Sequence, residues 1–275
     1  GAVALLQSDL KQLLAASTAA QIGFIVMAAG TGAVAGGTAH LVAHAATKAL
    51  LFLVAGAWLT GLGTKKLAEL GGAGRRWPGV GVMAVIGLLS LAGVAPLALW
   101  ASKDAVLAVA GHQSAALYAV GLMAAALSSA YAAKVLLIVL AAKTRQAAGG
   151  VLADSVDPVD TAYRQESAAQ PSGRVSGWTW AALPVLAAGS AVLGAVTLMA
   201  LHSRARTRLE EAGTPVAGVG ELVVSGTLAV AVLALMIYAR MRARSAAAAS
   251  SVPGYAPALH EPVHEPRFAS LWPDL

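Results

Sequence analysis

The sequence predicts an all-α polytopic integral membrane protein of about six transmembrane helices, one of them broken near Pro96. Three observations carry this. The 275 residues are 58% hydrophobic and only 12% charged, with a mean hydropathy of +0.71, a composition outside the range of soluble globular domains. The apolar residues are gathered into runs long enough to cross a bilayer core of about 30 Å as helices. The basic residues fall in short clusters between those runs, where they act as orientation signals. The net charge of +6 therefore does not point to nucleic acid. The chain contains no cysteine, which excludes disulfides, Cys-ligated zinc and iron–sulfur clusters.

Taken in order, Gly1 to Leu6 reads as the tail of an earlier span, so the sequence is expected to be the C-terminal part of a longer polypeptide. No signal peptide is read, because Asp9 and Lys11 interrupt the opening apolar run. A polar turn from Gln7 to Lys11 precedes a span from about Leu13 to Gly30, in which Ser17, Thr18 and Gln21 lie about one turn apart. Such residues hydrogen-bond neighbouring helices in a membrane. Thr31 to Gly37 is uncharged and Gly-rich and reads as a tight turn. Its G-x-G-x-x-A pattern, Gly30 to Ala35, follows no strand, so a nucleotide-binding reading fails.

The next span, Thr38 to Leu62, carries His40, His44 and Lys48. On a helix, groups at four-residue spacing are rotated by only about 40° and rise by about 6 Å per step. They form one row ending in an ammonium near mid-span. A Lys there costs about 2.5–3.5 kcal/mol on insertion scales, so it should face protein or water rather than lipid. Two histidines without a third ligand or a Glu between them do not make a zinc site.

Lys65-Lys66 and Arg75-Arg76 mark a basic, Gly-rich loop. Gly79 to Ala110 is too long for one regular span and contains Gly93 and Pro96. Proline removes a donor and clashes with the preceding turn, so the helix should break there and line a cavity. Ser102-Lys103-Asp104 follows the break. Asp104 cannot share the helical face of Lys103, so it is expected to be an interfacial partner for another chain or a solvent-side acceptor. A span from about Ser114 to Leu140 carries Tyr131 and Lys134. Spans from about Trp178 to Leu201 and from Leu222 to Tyr238 follow. Trp58, Trp77, Trp100, Trp178 and Trp180 read as interfacial anchors. The basic clusters fall on one side, apart from Arg204, Arg206 and Arg208, which places both ends of this chain in the cytoplasm.

Several of these segments resemble a known family. DLKQLLAASTAAQIGF, HLVAHAATKALLFLVAG, LAGVAPLALWASKDAVL and YAAK are similar, in order and separation, to segments of the antiporter-like membrane subunits of respiratory complex I. The same superfamily includes multisubunit cation/proton antiporters and the membrane subunit of inorganic-carbon accumulators. The pair of histidines with Ser-Lys-Asp points to the L-type subunit. The resemblance implies the second half of an antiporter-like inverted-repeat fold. It also implies a proton pathway through His40, His44, Lys48 and Lys103, with Lys11, Ser17, Thr18, Gln21, Asp104 and Lys134 as accessory groups and Gly93 and Pro96 at the helix break. The expected organisation is a proton-conducting module over 1–142, a polar cytoplasmic loop over 143–177, two accessory transmembrane helices over 178–244 and a polar tail over 245–275.

The implied function is proton translocation in a complex I-like NADH-quinone oxidoreductase assembly of a bacterial plasma membrane. Its partners would be other membrane subunits and the lipid bilayer, with protons or sodium as the transported ion, and no cofactor or metal held by this chain. The alternatives are a subunit of an antiporter or carbon-uptake complex, or a non-conducting scaffold. They are raised by two differences: the family's first inverted half is not seen, and little chain follows Arg244 for a lateral helix.

Overall fold

The computed structural model describes residues 1–141, 177–202 and 219–250. Most of the expected loop over 143–177, the Arg204 to Arg208 cluster and the chain beyond Ser250 lie outside the described residues. Helices α1 (Ala2–Leu6), α2 (Leu10–Thr31) and α3 (Val34–Leu62) open the chain. A 3-10 turn (Leu67–Leu70) and α4 (Ala73–Arg76) lead to α5 (Pro78–Ala92), α6 (Ala98–Gln113) and α7 (Ala115–Val139). Then come α8 (Gly177–His202) and α9 (Val219–Ser250). Among the described residues there is no strand.

The chain is a polytopic helical membrane protein. Four helices are long and apolar enough to cross a membrane, over Leu10–Thr31, Val34–Leu62, Ala115–Val139 and Leu222–Ala246, and Pro78–Ala92 and Trp180–Val196 are shorter apolar helices. Large apolar side chains such as Val26, Leu41, Met123 and Leu235 are exposed on the outside of the bundle, as a lipid-facing surface requires.

Local signals set the boundaries. Asp9, expected within a polar turn, caps α2: its carboxylate accepts from the amides of Lys11 and Gln12 at 2.8 and 3.1 Å, satisfying donors the helix leaves free. The same carboxylate pairs with Lys65 at 3.4 Å, tying the start of α2 to the basic loop. That loop is not a simple excursion. Leu67, Leu70 and Ala73 are buried in the main core beside Trp58 and Val139. The turn between α2 and α3 is tight, with Gly32 left-handed at φ 73°, so α3 begins four residues before the expected start at Thr38.

The helix interruption lies where Gly93 and Pro96 place it. Gly93 has φ 84°. The Gly93 amide donates to Ser90 O at 2.9 Å and the Val94 amide to Leu89 O at 3.0 Å, a Schellman ending for α5. α9 continues to Ser250, past the expected start of the tail at 245.

Two side-chain expectations are corrected. Trp58, read as an interfacial anchor, is only 1% exposed, because α3 runs through the middle of the bundle against α2, α5, α6 and α8. Asp104 is likewise 1% exposed. It does not face solvent, because α6 is covered by α3, α7, α8 and α9.

Candidate functional site

Lys48 comes from the centre of α3, and its ammonium donates to the carbonyl of Leu14 at 2.7 Å and to the hydroxyl of Ser17. Ser17 in turn donates to Leu14 O at 2.9 Å. The carbonyl of Leu14 thus becomes the acceptor for a buried cation, which an apolar interior otherwise leaves unsolvated.

Toward the start of α3 stand His44 and His40, their rings stacked at 11° with centroids 6.2 Å apart. Both ring nitrogens of His44 are buried and have no hydrogen-bond partner among the described residues. His40 is fully buried; its Nδ1 meets Ser102 Oγ of α6 at 3.0 Å. The residue after Ser102 is Lys103. The row therefore reads Ser17, Lys48, His44, His40, Ser102, Lys103 across α2, α3 and α6. It places the histidines between the two lysines and Ser17 beside Lys48 rather than beside His40.

Lys103 is held by the helix break. With Leu89 and Ser90 carbonyls taken by the Schellman turn, those of Leu91 and Ala92 lose their intrahelical donors. Lys103 Nζ donates to Leu91 O at 3.0 Å, and Ser129 Oγ of α7 donates to Ala92 O at 2.7 Å. The ammonium also lies 5.7 Å from the ring centroid of Phe24, within cation–π range. Phe24 packs on His40 as well, at 5.5 Å between centroids.

The accessory residues divide. Gln21 is buried and donates to Ser128 Oγ and Tyr131 Oη at 2.8 and 2.7 Å, fixing α2 to α7 beside the row. Thr18 turns back to its own helix at Leu14 O, 3.0 Å away. Lys134 donates to the carbonyls of Leu5 and Gln7 at 2.7 and 3.1 Å, closing the end of α1. Lys11 is half-buried at the start of α2, remote in sequence and in contact from the histidines. A further cluster joins three helices: Thr47 Oγ1 meets Ser90 Oγ at 3.2 Å and Ser190 Oγ at 3.0 Å.

Sequence reading missed Phe24, the role of Ser102 and the capping hydroxyl of Ser129. Phe24 had a signal: Ser17, Gln21, Phe24 and Ala28 recur at three- and four-residue steps on one buried face of α2. Backbone acceptors such as Leu14 O and Leu91 O carry no such signal. Among the described residues no group of three metal-ligating side chains occurs.

A membrane helix bundle with two lysines and two histidines buried in its interior is a candidate functional site, since ionisable groups are costly at membrane depth. Residues 1–128 match the family described as NADH:quinone oxidoreductase/Mrp antiporter, transmembrane. NADH-quinone oxidoreductase subunit L of Rickettsia felis is 36% identical over 143 residues, covering 52% of this chain and 22% of that protein. NAD(P)H-quinone oxidoreductase subunit 5, chloroplastic, of Zygnema circumcarinatum is 39% identical over 138 residues, covering 47% of this chain and 20% of that protein. Through residues 1–128 the chain is similar to the antiporter-like membrane subunits of complex I. The match spans about a fifth of the length of these relatives.

Proposed function

We propose that this chain is a proton-translocating membrane subunit of a complex I-like NADH-quinone oxidoreductase assembly in a bacterial plasma membrane. The observation that carries the reading is the buried row from Lys48 through His44 and His40 to Lys103. Each lysine can hold or release a proton, and the imidazoles between them can accept on one nitrogen and donate from the other. The partnerless nitrogens of His44 favour water within the row, since buried polar atoms are otherwise paired. Ser102 links His40 to the helix that carries Lys103. The driving energy would come from partner subunits, as the names of the relatives imply for their own assemblies. Lys48→Ala and Lys103→Ala, each in the native assembly reconstituted into liposomes, are expected to abolish proton uptake while the subunits still co-purify. Uptake at the wild-type rate by both variants would overturn the reading.

A second reading, a subunit of a cation/proton antiporter, is favoured by the family description itself, which names the Mrp antiporter. The two readings part on one measurement. Proton movement dependent on sodium and independent of NADH supports the antiporter, whereas proton movement driven by NADH oxidation supports the first reading. Neither dependence, with normal assembly of the two lysine variants, leaves a scaffold.

A further inference from the structure

Beyond the row, a cavity opens on the far side of Lys103 and is lined by Gly93, Trp100, Lys103, Ser129, Ser225 and Ala229 among others. Two of these, Ser225 and Ala229, belong to α9, which lies outside the residues that match the family. α9 is fitted here closely. Trp100 Nε1 donates to Leu222 O at 3.2 Å. A Cβ at Gly226 would stand 3.3 Å from the same indole nitrogen. Leu222, Ser225 and Ala229 form one buried face of an otherwise exposed helix.

Ser225 is the odd member of that face. It is only 8% exposed, and its hydroxyl is buried without a hydrogen-bond partner among the described residues. Serines in membrane helices ordinarily bond back to their own helix, as Thr227 does at 2.7 Å to Val223 O. A buried hydroxyl that forgoes this bond and lines a cavity beside an ammonium is placed to hold something in the cavity. The cavity also carries the Ser129 hydroxyl and the carbonyl edge of the helix break, so its polar groups suit water.

We propose that Ser225 is a positioning residue for proton release from Lys103, holding a water molecule between α6, α7 and α9. This deepens the proposed function and rests on it. In the step, an Nζ–H bond of the Lys103 ammonium breaks and its proton forms an O–H bond on that water. The amine and a hydronium result, and the hydronium passes on through solvent. Ser225 donates to or accepts from the water and exchanges no proton permanently. The energetic role is to fix the acceptor within hydrogen-bond reach of Lys103, where proton transfer depends on geometry.

The test uses the native assembly in liposomes and compares Ser225→Ala, Ser225→Thr and Lys103→Ala. Ser225→Ala is expected to slow proton uptake by about tenfold, the worth of one hydrogen bond, with an unchanged melting temperature. Ser225→Thr, which keeps the hydroxyl, is expected to restore most of the rate. Wild-type uptake by Ser225→Ala with an inactive Lys103→Ala overturns this inference and leaves the proposed function standing. Equal slowing by both Ser225 variants, or slowing accompanied by a lower melting temperature, also overturns it, because packing would then explain the effect. Wild-type uptake by Lys103→Ala also overturns this inference, and only together with wild-type uptake by Lys48→Ala does it overturn the proposed function.

Discussion

At the scale of single residues, the break between α5 and α6 is held by side chains that satisfy its backbone. Ser129 Oγ lies 2.7 Å from Ala92 O, and Lys103 Nζ lies 3.0 Å from Leu91 O. Ser129→Ala leaves a buried carbonyl without its donor, which costs about 1–3 kcal/mol. The expected outcome is a lower thermal midpoint in detergent, whereas Ser129→Thr keeps most of the stability. An unchanged midpoint for Ser129→Ala would show that Ala92 O is satisfied otherwise. That His40, His44, Lys48 and Lys103 face the interior of the bundle could be read from the sequence, because a charge or imidazole in an apolar run is costly toward lipid. Ser129 was not legible, since a serine in a membrane helix is common and only the fold brings it to Ala92. Asp104 was misread for the opposite reason. Its neighbour in sequence suggested a different face, but α6 is covered on nearly every side.

At the scale of elements, α8 is closer to the site than its place in the sequence suggests. Gly194 packs on the backbone of the break: a Cβ there would clash with Pro96 O and stand 2.7 Å from Leu97 C and 2.8 Å from Ala98 N. These are backbone atoms and cannot swing aside. Gly194→Ala should therefore push α8 off the break and destabilise the protein by about 1–3 kcal/mol. Gly189 on the same helix has nothing within 4 Å of its would-be Cβ. Gly189→Ala should be neutral or stabilising by up to about 1 kcal/mol, from helix propensity. The paired melting temperatures check this directly, and equal values would show that α8 is not fitted to the break. The break itself could be read from Gly93 and Pro96, because both residues carry their backbone consequences with them. The partner of the break could not, since an apolar span does not encode which neighbour its glycines approach.

At the scale of the whole molecule, the two ends of the bundle differ in charge. At one end Asp9 pairs with Lys65, Lys134 closes α1, and Lys11, Lys66, Arg75 and Arg76 lie in or beside the same loops. At the other end Gln113 Nε2 donates to Thr31 O at 2.6 Å, joining the α2–α3 and α6–α7 turns, neither of which contains Lys or Arg. α9 fits the same division. Its Leu222 packs on Ala108 of α6, toward the uncharged end, while its Ala229 reaches the level of Ala92 and Gly93 at the break. Arg240 lies about 16 Å farther along a helix rising 1.5 Å per residue, toward the basic end. The positive-inside rule predicts that the basic end faces the cytoplasm. The natural absence of cysteine makes this testable with single substitutions. Ala68→Cys, exposed in the basic loop, and His112→Cys, exposed in the last turn of α6, should react with a membrane-impermeant thiol reagent from opposite faces. In sealed vesicles with the cytoplasmic face outward, only Ala68→Cys is expected to label before the membrane is opened. Labelling of His112→Cys alone would invert the orientation. Labelling of both would break the arrangement of helices, because Gln113 and Thr31 could not then mark a face opposite to Lys65 and Asp9.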